Sequence, residues 1–123
     1  MMKKLVLLLG ITLIACSSKE RNCKDFKTGT FEFTQVVNGK KLSSTFVRTD
    51  SIQIETFNGK TDTATVRWVN DCEFILRKLH PKNMEEQKAI SMIIITTKDN
   101  SYTFDYSYVG ESKKQRGTVT KIK

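Results

Sequence analysis

Residues 52–68 read IQIETFNGKTDTATVRW, and this stretch decides the fold. In both of its halves, apolar or β-branched residues occupy every second position, as in a strand with one face toward a core. The dipeptide Asn58-Gly59 separates the halves, and both residues tolerate the positive φ that a two-residue type I′ turn requires. The stretch therefore predicts an antiparallel hairpin. Its alternating positions are Ile52, Ile54 and Thr56, followed by Ala64, Val66 and Trp68.

The preceding part of the chain repeats this pattern. Phe31 and Phe33 alternate with polar residues, and Asn38-Gly39 gives a second signal for a tight turn. Residues 42–49 then form another candidate strand, which leads into the hairpin at residue 52. Sequential hairpins place such strands side by side in one antiparallel sheet.

The chain downstream of the hairpin turns at Asn70-Asp71 and continues as a strand. Pro81 then interrupts the alternation, and residues 82–88 predict one or two helical turns with this proline near their start. An aliphatic strand is expected at residues 91–97. The strand after the turn would point three residues inward: Cys72, Phe74 and Leu76.

Residues 102–109 predict an aromatic strand, and residues 118–122 predict the last one. Tyrosine combines an apolar ring with a polar tip, which suits a partly wet cavity mouth or an interface. Strands also favour aromatic residues as plain core, and that is the alternative for this face and for Trp68. The candidate ligand-binding residues are Trp68, Tyr102, Phe104, Tyr106 and Tyr108.

These elements together predict an all-β domain: an antiparallel meander of about eight short strands with one short helix. Eight strands can close into a small barrel that is filled by side chains or holds one small ligand. An open sheet curled around the helix is the alternative.

The amino terminus carries an export signal. Lys3 and Lys4 precede an apolar run at residues 5–15, which is too short to span a bilayer core of about 30 Å. Residues 13–16, Leu-Ile-Ala-Cys, resemble the lipobox of bacterial lipoproteins. The resemblance implies a signal peptide at 1–15, acylation of Cys16 and a lipidated tether at 16–22. An ordinary signal peptide with a chance cysteine is the alternative.

The tether leads into a single β domain at 23–123. No aspartate follows Cys16 directly, and an aspartate there retains lipoproteins at the inner membrane in many Gram-negative bacteria. We therefore expect a lipid-anchored protein on the periplasmic face of the outer membrane, with surface exposure as the alternative.

Acylation of one cysteine leaves Cys23 and Cys72 as a pair in an oxidising compartment, which predicts a disulfide. A cross-link over about 50 residues contributes about 4 kcal/mol in the chain-entropy model. Two buried free thiols are one alternative. A metal site that includes His80 is another, although it would lack the short ligand spacing of such sites.

Several segments resemble a family of small lipoproteins from flavobacteria, and the body pattern also resembles lipocalin-like lipoproteins of that lineage. The segments are the lipobox and residues 23–31, 46–48, 68–74 and 101–104. Members of this family have no established activity that could be assigned to this chain. Some members carry the label DNA topoisomerase IV, but a domain of this size cannot hold the ATP-binding region and breakage–reunion domain of that enzyme class.

The formal net charge of +8 is concentrated near the carboxyl terminus, where no acidic residue follows Glu111. A basic patch of this kind can bind lipid phosphates or lipopolysaccharide. The alternative is a solvated loop and an edge strand that its lysines protect from pairing. Nucleic acid is disfavoured by the export signal and by the lack of recognition motifs. The patch comprises Lys113, Lys114, Arg116, Lys121 and Lys123.

No pattern in the chain indicates an enzyme. His80 is the only histidine and has no flanking acid, and Ser43-Ser44 lacks the context of a nucleophile. We expect no cofactor and no metal. The expected function is that of a membrane-anchored, non-catalytic module that binds a small apolar ligand or an envelope protein. The alternative is a structural or accessory subunit of an envelope protein complex.

Overall fold

A computed structural model describes residues 21–123, so the signal peptide, Cys16 and most of the tether lie outside the described residues. A 3₁₀ helix at Cys23–Phe26 comes first. In this part of the chain, no helix has the length and apolar character needed to cross a membrane. The strands are β1 (Gly29–Val37), β2 (Lys40–Arg48), β3 (Ile52–Phe57), β4 (Lys60–Asn70), β5 (Glu73–Lys78), β6 (Ile90–Lys98), β7 (Ser101–Tyr108) and β8 (Gln115–Lys121).

The eight strands form one closed antiparallel barrel in meander order. Closure is made where β8 pairs with β1, through three residue pairs that run from Phe31↔Lys121 to Phe33↔Val119. The predicted all-β meander is confirmed, and the lipocalin-like barrel is realised rather than the curled sheet. Because the barrel is closed, none of the eight strands in residues 21–123 is left as an unpaired edge.

Both Asn-Gly dipeptides form the predicted turns. The φ angles are 52° and 76° at Asn38-Gly39 and 49° and 74° at Asn58-Gly59, so both central residues have the positive φ of a type I′ turn. The meander alternates its connections between two ends of the barrel. We call one the open end, which carries the connections at 38–39, 58–59, 79–89 and 109–114. We call the other the plugged end, which carries the 3₁₀ helix and the connections at 49–51, 71–72 and 99–100.

The short helix predicted at residues 82–88 is not formed. The backbone there makes successive turns, in which the amides of Gln87 and Lys88 donate to carbonyl oxygens three residues earlier at 3.2 Å. Asn83 Oδ1 also accepts the amide of Glu86 at 2.8 Å. A helical nucleus fixes several residues for one hydrogen bond, and asparagine side chains compete for the same amides. The 3₁₀ helix near the amino terminus is the short helix of the fold.

This 3₁₀ helix closes one end of the barrel. Cys23 and Phe26 belong to the buried core, and the Phe26 ring meets the Tyr102 ring edge-on at 5.2 Å between centroids. The predicted disulfide is confirmed: Cys23 is bonded to Cys72, in the turn between β4 and β5. A covalent bond and an aromatic contact thus hold the plug on the sheet.

The face of β3 that carries Ile52, Ile54 and Thr56 points outward. Ile54 is 41% exposed, whereas Gln53, on the other face, is 9% exposed and lies inside the barrel. Glu55 shares the inward face with Gln53 and lines the interior. The alternation is as predicted, but in this strand the polar face is the inner one.

Gly117 gives space to two aromatic rings inside the barrel. The rings of Phe33 and Phe104 lie 6.0 Å apart between centroids on either side of β8. A Cβ atom at position 117 would lie 2.9 Å from Phe104 Cζ and 3.0 Å from Phe33 Cε2. Any side chain at this position must therefore displace one of the rings.

We predict that Gly117→Val lowers the free energy of unfolding by about 1–3 kcal/mol, because overpacking shifts side chains from their preferred positions. Urea unfolding followed by tryptophan fluorescence measures the difference. Thr120→Ala, at an exposed position of the same strand, is the control and should change stability by less than about 0.5 kcal/mol. Equal stability of Gly117→Val and the wild type would contradict the close approach of the rings.

Candidate functional site

A cavity of about 330 Å³ occupies the interior of the barrel. Cavities that hold small ligands in proteins start at about 300 Å³ and are mostly apolar, with a few polar groups. Most of the lining here is aromatic or aliphatic and comes from inward positions of several strands. Prominent wall residues are Phe33, Leu42, Phe46, Met92, Phe104 and Tyr106.

The aromatic face predicted on β7 lies inside the barrel. Tyr102 and Phe104 are buried, and both line the cavity together with Tyr106. The Tyr106 hydroxyl donates to Gln115 Oε1 on β8 at 2.6 Å. Tyr108 lies further toward the open end and lines two adjoining cavities, one beside the 79–89 connection and one beside the 109–114 connection. Three of the four aromatic residues are therefore placed to contact a ligand in the cavity of about 330 Å³.

Trp68 lies near the plugged end, outside the lining of the cavity. Its ring packs against Phe74 at 4.5 Å between centroids, and Lys27 Nζ lies 5.1 Å from the ring centre. Its Nε1 is buried and finds no hydrogen-bond partner in the part of the chain that the structure describes. The structure thus places Trp68 against the core, below the cavity.

The floor of the cavity is a buried arginine, Arg48. Arg48 is 1% exposed. Among residues 21–123, no carboxylate forms an ion pair with it. Its guanidinium donates to the backbone oxygens of Phe26 at 2.6 Å and of Lys27 at 3.1 Å. It also donates to Gln53 Oε1 at 3.1 Å and to the Tyr102 hydroxyl at 3.2 Å. These bonds join the plug, β2, β3 and β7 at one point.

Aromatic rings surround the same guanidinium. Its central carbon lies 4.5 Å from the ring centre of Phe74 and 4.7 Å from that of Phe31. Three more rings lie within 5.8 Å: Phe46, Trp68 and Tyr102. Cation–π contacts of this kind contribute about 2 kcal/mol or more when they are shielded from water. They stabilise the buried charge without neutralising it.

Sequence reasoning missed Arg48 and Gln53 as site residues. Arg48 lies two positions after Phe46, so the alternation of β2 does put both on the same inward face. A charged residue at the end of a strand is usually solvated, however, and arginine is almost never fully buried without a partner. The alternation of β2 predicts an inward side chain at position 48, whereas the charge of arginine favours an exposed one.

The rim of the cavity beside the 79–89 connection is acidic, with four carboxyl groups against the ammonium groups of Lys78 and Lys88. Glu55 on β3 faces Asp62 on β4, and burial raises the pKa of Glu55; Asp62 raises it further and Lys78 lowers it. Lys78 Nζ lies 3.0 Å from Asp62 Oδ2 and 3.3 Å from Glu86 Oε1, so it ties the 79–89 connection to the rim. Within residues 21–123, no group of three or more potential ligands is arranged to hold a metal ion.

The five carboxyl-terminal basic residues do not share one surface. Two lie in the 109–114 connection at the open end, whereas Lys121 and Lys123 lie at the plugged end. Arg116, between them, pairs with Asp105 on β7 through bonds of 2.8 and 3.3 Å. β8 is paired on both sides, so it is not the lysine-protected edge strand considered from the sequence.

We predict that Glu55→Gln stabilises the protein at neutral pH and that this gain is lost in acid. The pKa of Glu55 is raised in the folded state, so its charged form disfavours folding above that pKa. Protonation removes this cost as the pH falls through the folded pKa. Urea unfolding at about pH 7 and about pH 4 measures the effect. Glu32→Gln on β1 is the control, because Glu32 is exposed. An equal gain at both pH values would contradict the assignment.

Comparisons with known proteins give no relative from which a function could be inferred, so any assignment of function rests on the cavity. No protein-family model, no curated protein and no solved structure matches this chain. The likeness to flavobacterial lipoproteins stays an expectation that rests on the quoted segments. One fold can host many unrelated functions, so the ligand must be inferred from the chemistry of the residues that line the cavity.

Proposed function

We propose that this protein is a non-catalytic binding module that holds one small apolar ligand inside its barrel and is anchored to the outer membrane by lipid on Cys16. The observation that carries the proposal is the cavity of about 330 Å³ with predominantly apolar walls. Transfer of apolar ligand surface from water to such walls is favourable by about 25 cal/mol per Å².

Inward residues that are small or polar support this proposal. Eight-stranded barrels are often filled by their own side chains. Here the small Ser44 lines the cavity, and Gln53 and Glu55 occupy inward positions where a filled core would need bulky apolar residues. The space is therefore built into the inner face of the strands.

We predict that Ser44→Phe reduces binding of an apolar fluorescent probe, N-phenyl-1-naphthylamine, by about tenfold or more. Ser44 lines the cavity, so a phenyl ring would occupy the space that the probe needs. Fluorescence titration of the lipidated protein in nanodiscs, with empty nanodiscs as the blank, measures the change.

The matched control for this test is Thr45→Phe, because Thr45 is the next residue of β2 and is exposed on the outer face. It should bind the probe as the wild type does. Unchanged binding by Ser44→Phe, or an equal loss in both variants, would show that the probe does not occupy the barrel.

We predict that Cys16→Ala abolishes incorporation of labelled palmitate and removes the protein from the outer-membrane fraction, because each buried acyl CH₂ contributes about 0.8 kcal/mol to anchoring. Membrane fractionation after metabolic labelling measures both effects. A variant that lacks Cys23 and Cys72 controls for general effects of cysteine loss and should keep the label. Retention of the label by Cys16→Ala would contradict the proposed anchor.

A second candidate function, as an accessory subunit of an envelope complex, has one observation in its favour. Val47 on β2 and Ile54 on β3 are direct neighbours on the outer face, and they are 45% and 41% exposed. Exposed apolar neighbours of this kind mark protein contacts when they belong to a larger patch. A stable protein partner that is lost in Ile54→Lys, with probe binding unchanged, would favour this function over ligand binding.

A further inference from the structure

We propose that the ligand is a monocarboxylic acid with an apolar tail, bound with its carboxylate toward Arg48 on the cavity floor and its tail along the walls toward the open end. This inference rests on the proposed function, because it assigns a ligand class to the same cavity. Three observations carry it: the charge balance of the floor, its spare hydrogen-bond donors and the charges at the rim.

No carboxylate of residues 21–123 forms an ion pair with the charge on the cavity floor. An arginine guanidinium is a permanent cation, and a buried charge is costly unless it is paired and hydrogen-bonded. Arg48 has hydrogen bonds to neutral acceptors and contacts with aromatic rings, but within residues 21–123 it has no carboxylate partner. A ligand that brings one negative charge would supply the missing partner.

The floor also has donors to spare. A guanidinium has five N–H donors, and the four bonds of Arg48 leave one N–H on Nη1. The Tyr102 hydroxyl accepts from Arg48, which leaves its own hydrogen free to donate. Burial raises the pKa of Tyr102, more than Arg48 lowers it, so this hydrogen is retained. Arg48 and Tyr102 both line the cavity, and a carboxylate can accept from two donors.

The rim of the cavity determines which way the ligand lies. The rim beside the 79–89 connection carries the carboxyl groups of Glu55, Asp62, Glu85 and Glu86, against the two ammonium groups of Lys78 and Lys88. An anionic headgroup would be repelled at the rim and attracted at the floor. A second negative charge at the far end of the ligand would meet the acidic rim, so the inference is limited to monocarboxylates with an uncharged tail.

Two probes of equal chain length, sodium decanoate and decan-1-ol, test the inference. We expect the wild-type lipoprotein in nanodiscs to bind decanoate about tenfold or more tightly than decan-1-ol at neutral pH, because hydrogen bonds to a charged group are the stronger ones. Isothermal titration calorimetry, corrected with empty nanodiscs, measures both affinities.

Gln53→Glu provides a variant that keeps Arg48 and the shape of the cavity. It places a carboxylate where Gln53 Oε1 lies, 3.1 Å from Arg48 Nη1, so the protein itself supplies the missing charge. We expect this variant to lose the preference for decanoate. Thr45→Glu, which adds the same charge on the outer face of β2, is the matched control and should keep the preference.

The outcomes separate this inference from the proposed function. Equal binding of decanoate and decan-1-ol by the wild type would overturn the inference and leave a neutral apolar ligand as the occupant; Arg48 would then serve only to hold the plug. Binding of neither probe would overturn the proposed function itself. The wild-type comparison decides the matter even if Gln53→Glu fails to fold.

Discussion

The hydrogen bonds of the Arg48 guanidinium connect β2 to the 3₁₀ helix and to β7, neither of which pairs with β2 in a strand ladder. Residues 26 and 27 lie at the end of the 3₁₀ helix, where backbone carbonyls have no partner within the helix. Arg48 satisfies them from β2 and reaches β3 and β7 through side chains of Gln53 and Tyr102. The charge of the cavity floor therefore depends on one side chain, and the position of the plug depends on it together with the Cys23–Cys72 disulfide.

Much of the fold follows from local signals. Alternation with period two and the two Asn-Gly turns predict the strands and their antiparallel order, and the cysteine count predicts the disulfide. β3 shows the limit of such signals: Ile54 lies outside and Gln53 inside. The period defines two faces, but a barrel with a partly polar interior does not reserve the inner face for apolar residues. Closure itself depends on a β1–β8 pairing between distant residues, which no local pattern encodes.

The candidate site was predictable to a similar degree. The aromatic face of Tyr102, Phe104 and Tyr106 follows from spacing alone and lies in the cavity. Arg48 does not follow, because its partners include backbone carbonyls more than 20 residues away, and carbonyls have no sequence signature. The helix predicted at residues 82–88 is not formed for another reason. In a short polar segment, side chains can accept the hydrogen bonds from backbone amides that a helix would use.

The contacts of the first described residues affect how the molecule would stand on a membrane. Arg21 donates to the Ile94 carbonyl at 3.1 Å, and the Asn22 amide donates to Thr97 Oγ1 at 2.9 Å, so the chain is already fixed to β6 there. With acylation at Cys16 as proposed, only five peptide units would separate the lipid from this attachment, a reach of at most about 18 Å. The attachment leads directly into the plug, so the mouth of the barrel would face away from the bilayer and exchange its cargo with the aqueous phase.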